Sequence, residues 1–186
     1  LELKKIPEKM IIVGAGVIGL EMGSIYSRLG TEVTVLEFFD KVLNGMDHDI
    51  SKNFKSILQK QGFKFHLNSS VSMITKEKKG VKVTFKQVES DDQKELSADV
   101  VLVATGRKPF TKNLKLENIG VKLNPKGQVE TDSNWRTNAT NVFAIGDVTP
   151  GPMLAHKAEE EGIAVAEIIA GQAGHVNFQV IPSVVY

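Results

Sequence analysis

Hydrophobic positions follow two periods along the chain, and each period marks a kind of element. Met10–Val13 is a short apolar run that enters a cluster of glycines; Val17–Leu29 then suits a helix, which Gly30 stops. Glu32–Leu36 alternates β-branched residues and leads to Glu37, after which Phe38–Gly45 reads as a loop. From Asp47 onward, Ile50, Phe54, Ile57 and Leu58 recur at offsets of four, seven and eight. That spacing places them on one helix face until Gly62 ends it. The succession is strand, turn, helix, strand, helix.

After Phe63–Leu67 the pattern changes to short strands. Val71–Thr75, Val81–Val88 and Asp99–Ala104 are separated by turn residues at Lys79-Gly80 and Ser90-Asp91-Asp92, which predicts a meander appended to a parallel sheet. Thr105-Gly106-Arg107-Lys108-Pro109 interrupts regular structure, because proline disfavours helical geometry in the residue before it, and marks a domain exit. Farther on, Val142–Ile145 predicts a strand, Gly146–Gly151 a turn, and Pro152–Ala170 a helix with proline early and Gly171 past its end. There is no internal repeat or low-complexity tract.

Composition narrows the picture without changing it. The 186 residues can bury a sizeable core as one domain or two, and 41% hydrophobic with 24% charged residues is the balance of a packed globular fold. A formal charge of +1, from 23 basic and 22 acidic residues, supplies no general pull toward nucleic acid or an anionic membrane. Any phosphate binding has to be local. The longest apolar stretch, Met10–Leu20, is too short to span a bilayer and is interrupted by glycines, so no membrane insertion is expected. Residues 1–7 lack the apolar core of a secretory signal, and no Arg- and Ser-rich transit peptide is readable.

Cysteine is absent, which removes a disulfide framework, a Cys-based zinc site and a cysteine nucleophile from these residues. His48, His66 and His175 have no partner at metal-ligand spacing and read as structural or surface residues, so no metal is proposed. Trp135 and the phenylalanines read as packing groups rather than a base-stacking platform, since no basic stripe accompanies them.

The candidate chemistry lies in the glycine cluster. Gly14-Ala15-Gly16-Val17-Ile18-Gly19 has the form G-x-G-x-x-G, a weak signal alone that gains weight between a strand and a helix. The first glycine permits a tight turn, the second lets the backbone approach a pyrophosphate, and the third lets helix and strand pack closely. Unpaired N–H groups and the dipole at the helix start attract phosphate without a basic side chain. Glu37 lies eighteen residues beyond Gly19, at the end of the second strand, where a carboxylate can accept hydrogen bonds from the adenosine ribose. A 2′-phosphate would be repelled there, which favours NAD over NADP. Gly23 shares a helix face with Gly19 and has a packing role. Glu21 reads equally as a ligand-side residue or as an acid near a helix N-terminus.

Val142-Phe143-Ala144-Ile145-Gly146-Asp147-Val148, followed by Gly151-Pro152-Met153-Leu154-Ala155-His156-Lys157-Ala158-Glu159, resembles the flavin-binding motif of pyridine nucleotide-disulfide oxidoreductases. With Gly14–Glu21, Ser51–Phe65 and Thr105–Pro109, the resemblance covers essentially the whole chain and is closest to the dihydrolipoamide-oxidising branch of that family.

The resemblance implies an α/β fold: a Rossmann-like NAD-binding domain over residues 1–113, with a parallel sheet flanked by helices and an antiparallel β-meander. A returning part of an FAD-binding domain over 114–174 and the start of an interface domain over 175–186 would follow. It implies that Gly14, Ala15, Gly16, Val17, Ile18, Gly19, Leu20, Glu21 and Glu37 hold NAD, with Val71 and Gly106 touching it. Asp147 would bond the FAD ribityl chain, and Met153, Leu154, Ala155 and His156 would face the flavin and its phosphates.

The implied parent is a homodimeric oxidoreductase. It would pass electrons from protein-bound dihydrolipoamide, carried on a lipoyl domain, through a cysteine pair and FAD to NAD, in 2-oxoacid dehydrogenase complexes and glycine cleavage. The family's cysteine pair, first FAD fingerprint and C-terminal His-Glu base have no counterpart here, so the chain reads as an interior fragment, inactive alone, with no catalytic residue assigned. His156 matches a flavin contact rather than the missing base. A mitochondrial matrix location is expected from the resemblance, otherwise a cytoplasmic one. The alternatives are a related flavoprotein, such as a glutathione-reductase-like enzyme, an NADH oxidase or a ferredoxin reductase, and an NAD-binding module without turnover.

Overall fold

A computed structural model of the chain describes residues 3–186. Leu1 and Glu2, which open the segment read for a leader, lie outside the described residues. The chain forms two compact units, one running through Gly106 and taking in Ser183–Tyr186, the other Arg107–Pro182. Residues 107–113 therefore fall in the second unit.

In the first unit, β1 (Lys9–Val13), α1 (Val17–Arg28) and β2 (Glu32–Leu36) follow the apolar pattern closely. β1 pairs in parallel with β2, Ile12 opposite Val35. α2 (His48–Lys60) starts where Asp47 caps it, the carboxylate accepting from the N–H groups of Asp49 at 2.9 Å and Ile50 at 3.3 Å. The chain returns through β3 (Lys64–His66), which pairs with β2. Of the four apolar residues that the helical period places on one face of α2, Leu58 is buried and Phe54 packs on the core, whereas Ile50 and Ile57 are each 50% exposed. The helix buries a narrower stripe than the periodicity predicts.

The expected α/β architecture is present, with one change in how the strands are used. β4 (Ser69–Lys76) and β5 (Val81–Gln87) form an antiparallel pair whose third strand is β6 (Gln93–Ala98), a segment the hydrophobic pattern leaves unassigned. The strand expected as the meander's third, around Asp99–Ala104, is β7 (Val100–Val103), and it pairs in parallel with β1. The physical reason is burial. β6 is an edge strand with a mostly exposed, polar sequence, so no apolar alternation announces it; the continuous Val-Val-Leu-Val run is typical of a strand in a covered parallel sheet.

The parallel sheet has the order β3-β2-β1-β7 and is covered on both faces. Met10 and Ile12 of β1 join Val33 and Val35, Leu20 of α1 and Leu58 of α2 in one core; Ile11 turns the other way and packs with Leu36, Val83 and Phe85. The period-2 alternation of β1 thus assigns helices to one face and the meander to the other.

In the second unit, α3 (Ala155–Ile169) packs Ala164 and Val165 against Trp135 and Val176. α3 begins three residues later than Pro152, because Leu154 keeps an extended backbone (φ −127°) and serves as the N-cap. Val142–Ile145 does not form the expected strand. It contributes a single bridge, Phe143 to Arg136, since only Val142 and Ala144 exchange main-chain bonds with the Trp135–Thr137 segment; Phe143 and Ile145 are held by side-chain packing instead. Gly146–Val148 forms a short 3-10 turn that packs on α3.

Candidate functional site

The turn from β1 into α1 is fixed by close main-chain contacts. Gly14 donates to Leu36 O at 2.8 Å and has φ +104°; a Cβ at this residue would lie 2.5 Å from Ala104 O, so no larger side chain fits. A Cβ on Gly19 would collide with Gly14 O, which is the tight helix-strand approach expected of the third glycine. Gly16 is the N-cap of α1, supplies no capping side chain, and has open space where a Cβ would stand. No acid occupies the first helical turn. The opening N–H groups of α1 lack intrahelical acceptors.

Glu37 closes this turn from the side. It is 9% exposed, and its carboxylate accepts from Ala15 N–H at 2.5 Å through Oε2 and from Phe39 N–H at 2.9 Å through Oε1. Its own main chain is held at both ends: its N–H donates to His66 O at 2.9 Å, and its carbonyl accepts from Ser69 N–H at 2.8 Å.

A cavity of about 450 Å³ opens beyond the C-terminal ends of β1, β2 and β7, and Gly14, Gly16, Glu37, Val71 and Gly106 all line it. Crevices outside the carboxyl ends of parallel strands are where α/β sheets take ligands. No lysine or arginine is among the lining residues, so an anion there meets amide dipoles, and a phosphate near Glu37 meets only a carboxylate.

The other residues of the glycine segment have different surroundings. Ala15 and Leu20 are buried in the core, Val17 packs against it, and Ile18 is 52% exposed. Glu21 accepts from Tyr186 N–H at 3.0 Å. The sequence reading missed Phe38 and Phe39, whose rings meet edge-on at 5.5 Å in the cavity wall, and the polar residues Asn44, Ser69, Ser70 and Thr105. Two adjacent aromatics directly after the strand-end acid were the available signal.

The residues singled out in the second unit gather around the start of α3. Leu154 caps the helix without a side-chain hydrogen bond, no acid stands in the first turn, and Ala155 and His156 open it, with Met153 just before. His156 Nε2 lies 3.0 Å from Pro182 O. Asp147 projects from the 3-10 turn with its side chain 37% exposed and pairs with Arg107. An uncapped fifteen-residue helix start beside a solvent-accessible carboxylate suits a ligand carrying both phosphate and hydroxyl groups, so these residues fit a flavin dinucleotide.

Comparison with known proteins converges on one family. Residues 1–162 match the family model described as pyridine nucleotide-disulphide oxidoreductase. The chain belongs to this family. Its members use FAD and NAD. Over its whole length the chain is 50% identical, across 188 aligned residues, to human mitochondrial dihydrolipoyl dehydrogenase, and spans 37% of that protein. The rat enzyme of the same name matches equally, at 50% identity and 37% of its length.

Among solved structures, LpdA from Mycobacterium tuberculosis superposes with a TM-score of 0.90 at 28% identity, covering 100% of this chain and 39% of that one. The HOCl-induced flavoprotein disulfide reductase RclA from Escherichia coli gives 0.83 at 32% identity, with 94% and 39% covered. The chain thus spans well under half of the relatives it matches. Among the described residues no helix is long and apolar enough to cross a membrane, and no acidic, histidine or cysteine cluster could hold a metal ion.

Proposed function

We propose that this chain is the NAD(H)-binding part of an FAD-dependent dihydrolipoamide dehydrogenase. In that enzyme protein-bound dihydrolipoamide is oxidised to lipoamide and NAD is reduced. The observation that carries the reading is the meeting, in one cavity, of Gly16, the N-cap of α1 that supplies no capping side chain, and the strand-end acid Glu37. The amides after Gly16 receive the pyrophosphate; Glu37 accepts from the adenosine ribose and disfavours a 2′-phosphate; Val71 and Gly106 bound the rest of the cofactor. In the second unit, Asp147 accepts from the ribityl hydroxyls of FAD, and residues 153–156 present the start of α3 to it. Bound FAD supplies the two-electron relay between dithiol and nicotinamide.

The chain contains no cysteine, so the dithiol step needs groups from elsewhere in a longer, homodimeric protein. The first unit is the NAD domain, the second a returning part of an FAD domain, and the residues from 175 lead toward an interface domain. The relatives' name, mitochondrial dihydrolipoyl dehydrogenase, supports a mitochondrial location and a lipoyl-domain partner for the parent.

Calorimetric titration of the purified chain with NADH and NADPH tests the reading. NADH should bind and NADPH should bind more weakly; tighter NADPH binding would reverse the role given to Glu37. Dithiol-dependent NAD reduction by the chain alone should be undetectable, and turnover without added protein would refute the claim that essential groups lie elsewhere.

A further inference from the structure

α3 carries two buried charged residues one turn apart, Lys157 and Glu161, 1% and 2% exposed. Glu161 divides its carboxylate between two partners. Oε2 accepts from Gly146 N–H at 2.7 Å, and Oε1 lies 2.8 Å from Lys157 Nζ. The ammonium is close enough for an ion pair yet poorly aligned for a hydrogen bond, and among the described residues it has no other partner. Room for it comes from Gly151, where a Cβ would stand 2.9 Å from Lys157 Cε.

An ion pair this buried is a poor investment for stability alone. Desolvating both charges offsets most of their attraction, and well-packed apolar residues of similar volume commonly serve as well or better. What an apolar pair could not supply is an acceptor for Gly146 N–H. The opposite end of the same residue is also tied: Gly146 O accepts from the Thr149 hydroxyl at 2.8 Å and from Thr149 N–H at 3.1 Å. Both ends of Gly146 are therefore fixed, and the next residue is Asp147, whose side chain is left to point outward toward Arg107.

We propose that Glu161 and Lys157 are positioning residues for Asp147. Glu161 holds the Gly146 amide from behind, Lys157 balances the buried carboxylate, and together they fix the turn that presents the Asp147 carboxyl group. The benefit for flavin binding rests on the reading of Asp147 as the acceptor for FAD hydroxyls. Both residues are buried, so each would act on the ligand through the turn rather than by contact.

Two double variants of the full chain separate positioning from bulk stability, since both remove the ion pair while only one removes the acceptor. Lys157→Met with Glu161→Gln keeps an oxygen for Gly146 N–H; Lys157→Met with Glu161→Met does not. Amide hydrogen exchange and 1H–15N spectra read the turn directly, without ligand. In the Gln variant, the Gly146 and Asp147 resonances should stay near their original positions. In the Met variant, Gly146 exchange should accelerate about tenfold relative to the Gln variant, with Asp147 shifted. Equal exchange and equal Asp147 resonances in the two variants would overturn the proposal.

Titration with FAD, in parallel with Asp147→Asn, tests the reading beneath it. FAD binding weakened about tenfold by Asp147→Asn and by the Met variant, but not by the Gln variant, would support both claims. Unchanged affinity in Asp147→Asn would remove the flavin role of Asp147, while the exchange data would still decide whether the turn is held by Glu161.

Discussion

Replacing Glu37 by Ala should damage the protein before any ligand is added. The carboxylate accepts from the buried N–H of Ala15 and the partly buried N–H of Phe39, so truncation removes two hydrogen bonds between a strand end and the glycine turn. Hydrogen bonds to charged acceptors contribute about 1.5–3 kcal/mol each, and an amide left unsatisfied inside a protein costs about 1–3 kcal/mol. Water can reach Phe39 N–H more easily than Ala15 N–H, which brings the expected loss to about 2–4 kcal/mol. For a unit of this size that is a fall of roughly 10–20 °C in Tm. Glu37→Gln keeps a single acceptor oxygen and should fall between the two.

Thermal unfolding followed by circular dichroism, with and without NADH, separates the two duties of the residue. The ligand-free difference reports the turn; the additional difference at saturating NADH reports the ribose contact, worth about 1–3 kcal/mol. If ligand-free Glu37→Ala melts within about 2 °C of the unaltered chain, the carboxylate does not hold the turn and the stability reasoning is wrong. If it binds NADH with unchanged affinity, the assignment of Glu37 to the ribose falls.

Three further outcomes follow from the same geometry. Gly19→Ala places a Cβ against Gly14 O, a main-chain atom that cannot rotate away, so NADH affinity should fall at least about tenfold with little change in α1 helicity; calorimetry that shows unaltered binding would contradict the close-packing role. NADH affinity should depend only weakly on salt, because amide dipoles rather than lysine or arginine line the cavity; titrations at about 0.05 and 0.5 M salt check this, and a steep decline would indicate an unseen cationic contact.

His66 is held below its ordinary pKa of 6.5 by burial and, secondarily, by the positive charge of Lys94. The folded state thus resists protonation more than the unfolded chain. Stability from the neutral imidazole is complete above about pH 6.5 and is lost as pH falls through the lower folded value. His66→Phe, packed against Phe85 as the imidazole is, should flatten the decline in Tm between pH 7.5 and 5.5; an unchanged slope would assign that decline to other groups.

The first half of the fold was legible because periodicity and turn chemistry agree there. Strand, glycine turn, helix and strand-end acid each have their own signature from Met10 to Glu37, and the boundaries of β2 coincide with those read from alternation. The site was legible where backbone dictates residue type, as at Gly14, and less so where the fold brings distant segments together. Ser69 and Thr105 reach the cavity from a meander strand and from the end of β7, and nothing local in the sequence marks them. The unannounced edge strand β6 and the single bridge at Phe143 have a common cause: strand formation depends on pairing partners, and apolar character reports burial rather than pairing.

Two of the glycine turns, at Gly14 and Gly146, are each held by a buried acid. A helix start can receive an anion only if its first amides are unspent, yet a turn that lacks a capping side chain loses one source of rigidity. At α1 the missing constraint is supplied by Glu37, which binds the amide of Ala15, just before the N-cap; Glu161 in the same way binds the amide of Gly146, in the separate 3-10 turn that precedes the Leu154 N-cap of α3. Both residues are buried, although Glu37 also lines the cavity. An N-cap aspartate or serine at position 16 would also rigidify the first turn, but its oxygen would take the N–H groups that the proposed pyrophosphate contact needs. Holding the first turn through Glu37 leaves the opening amides of α1 free of a capping side chain.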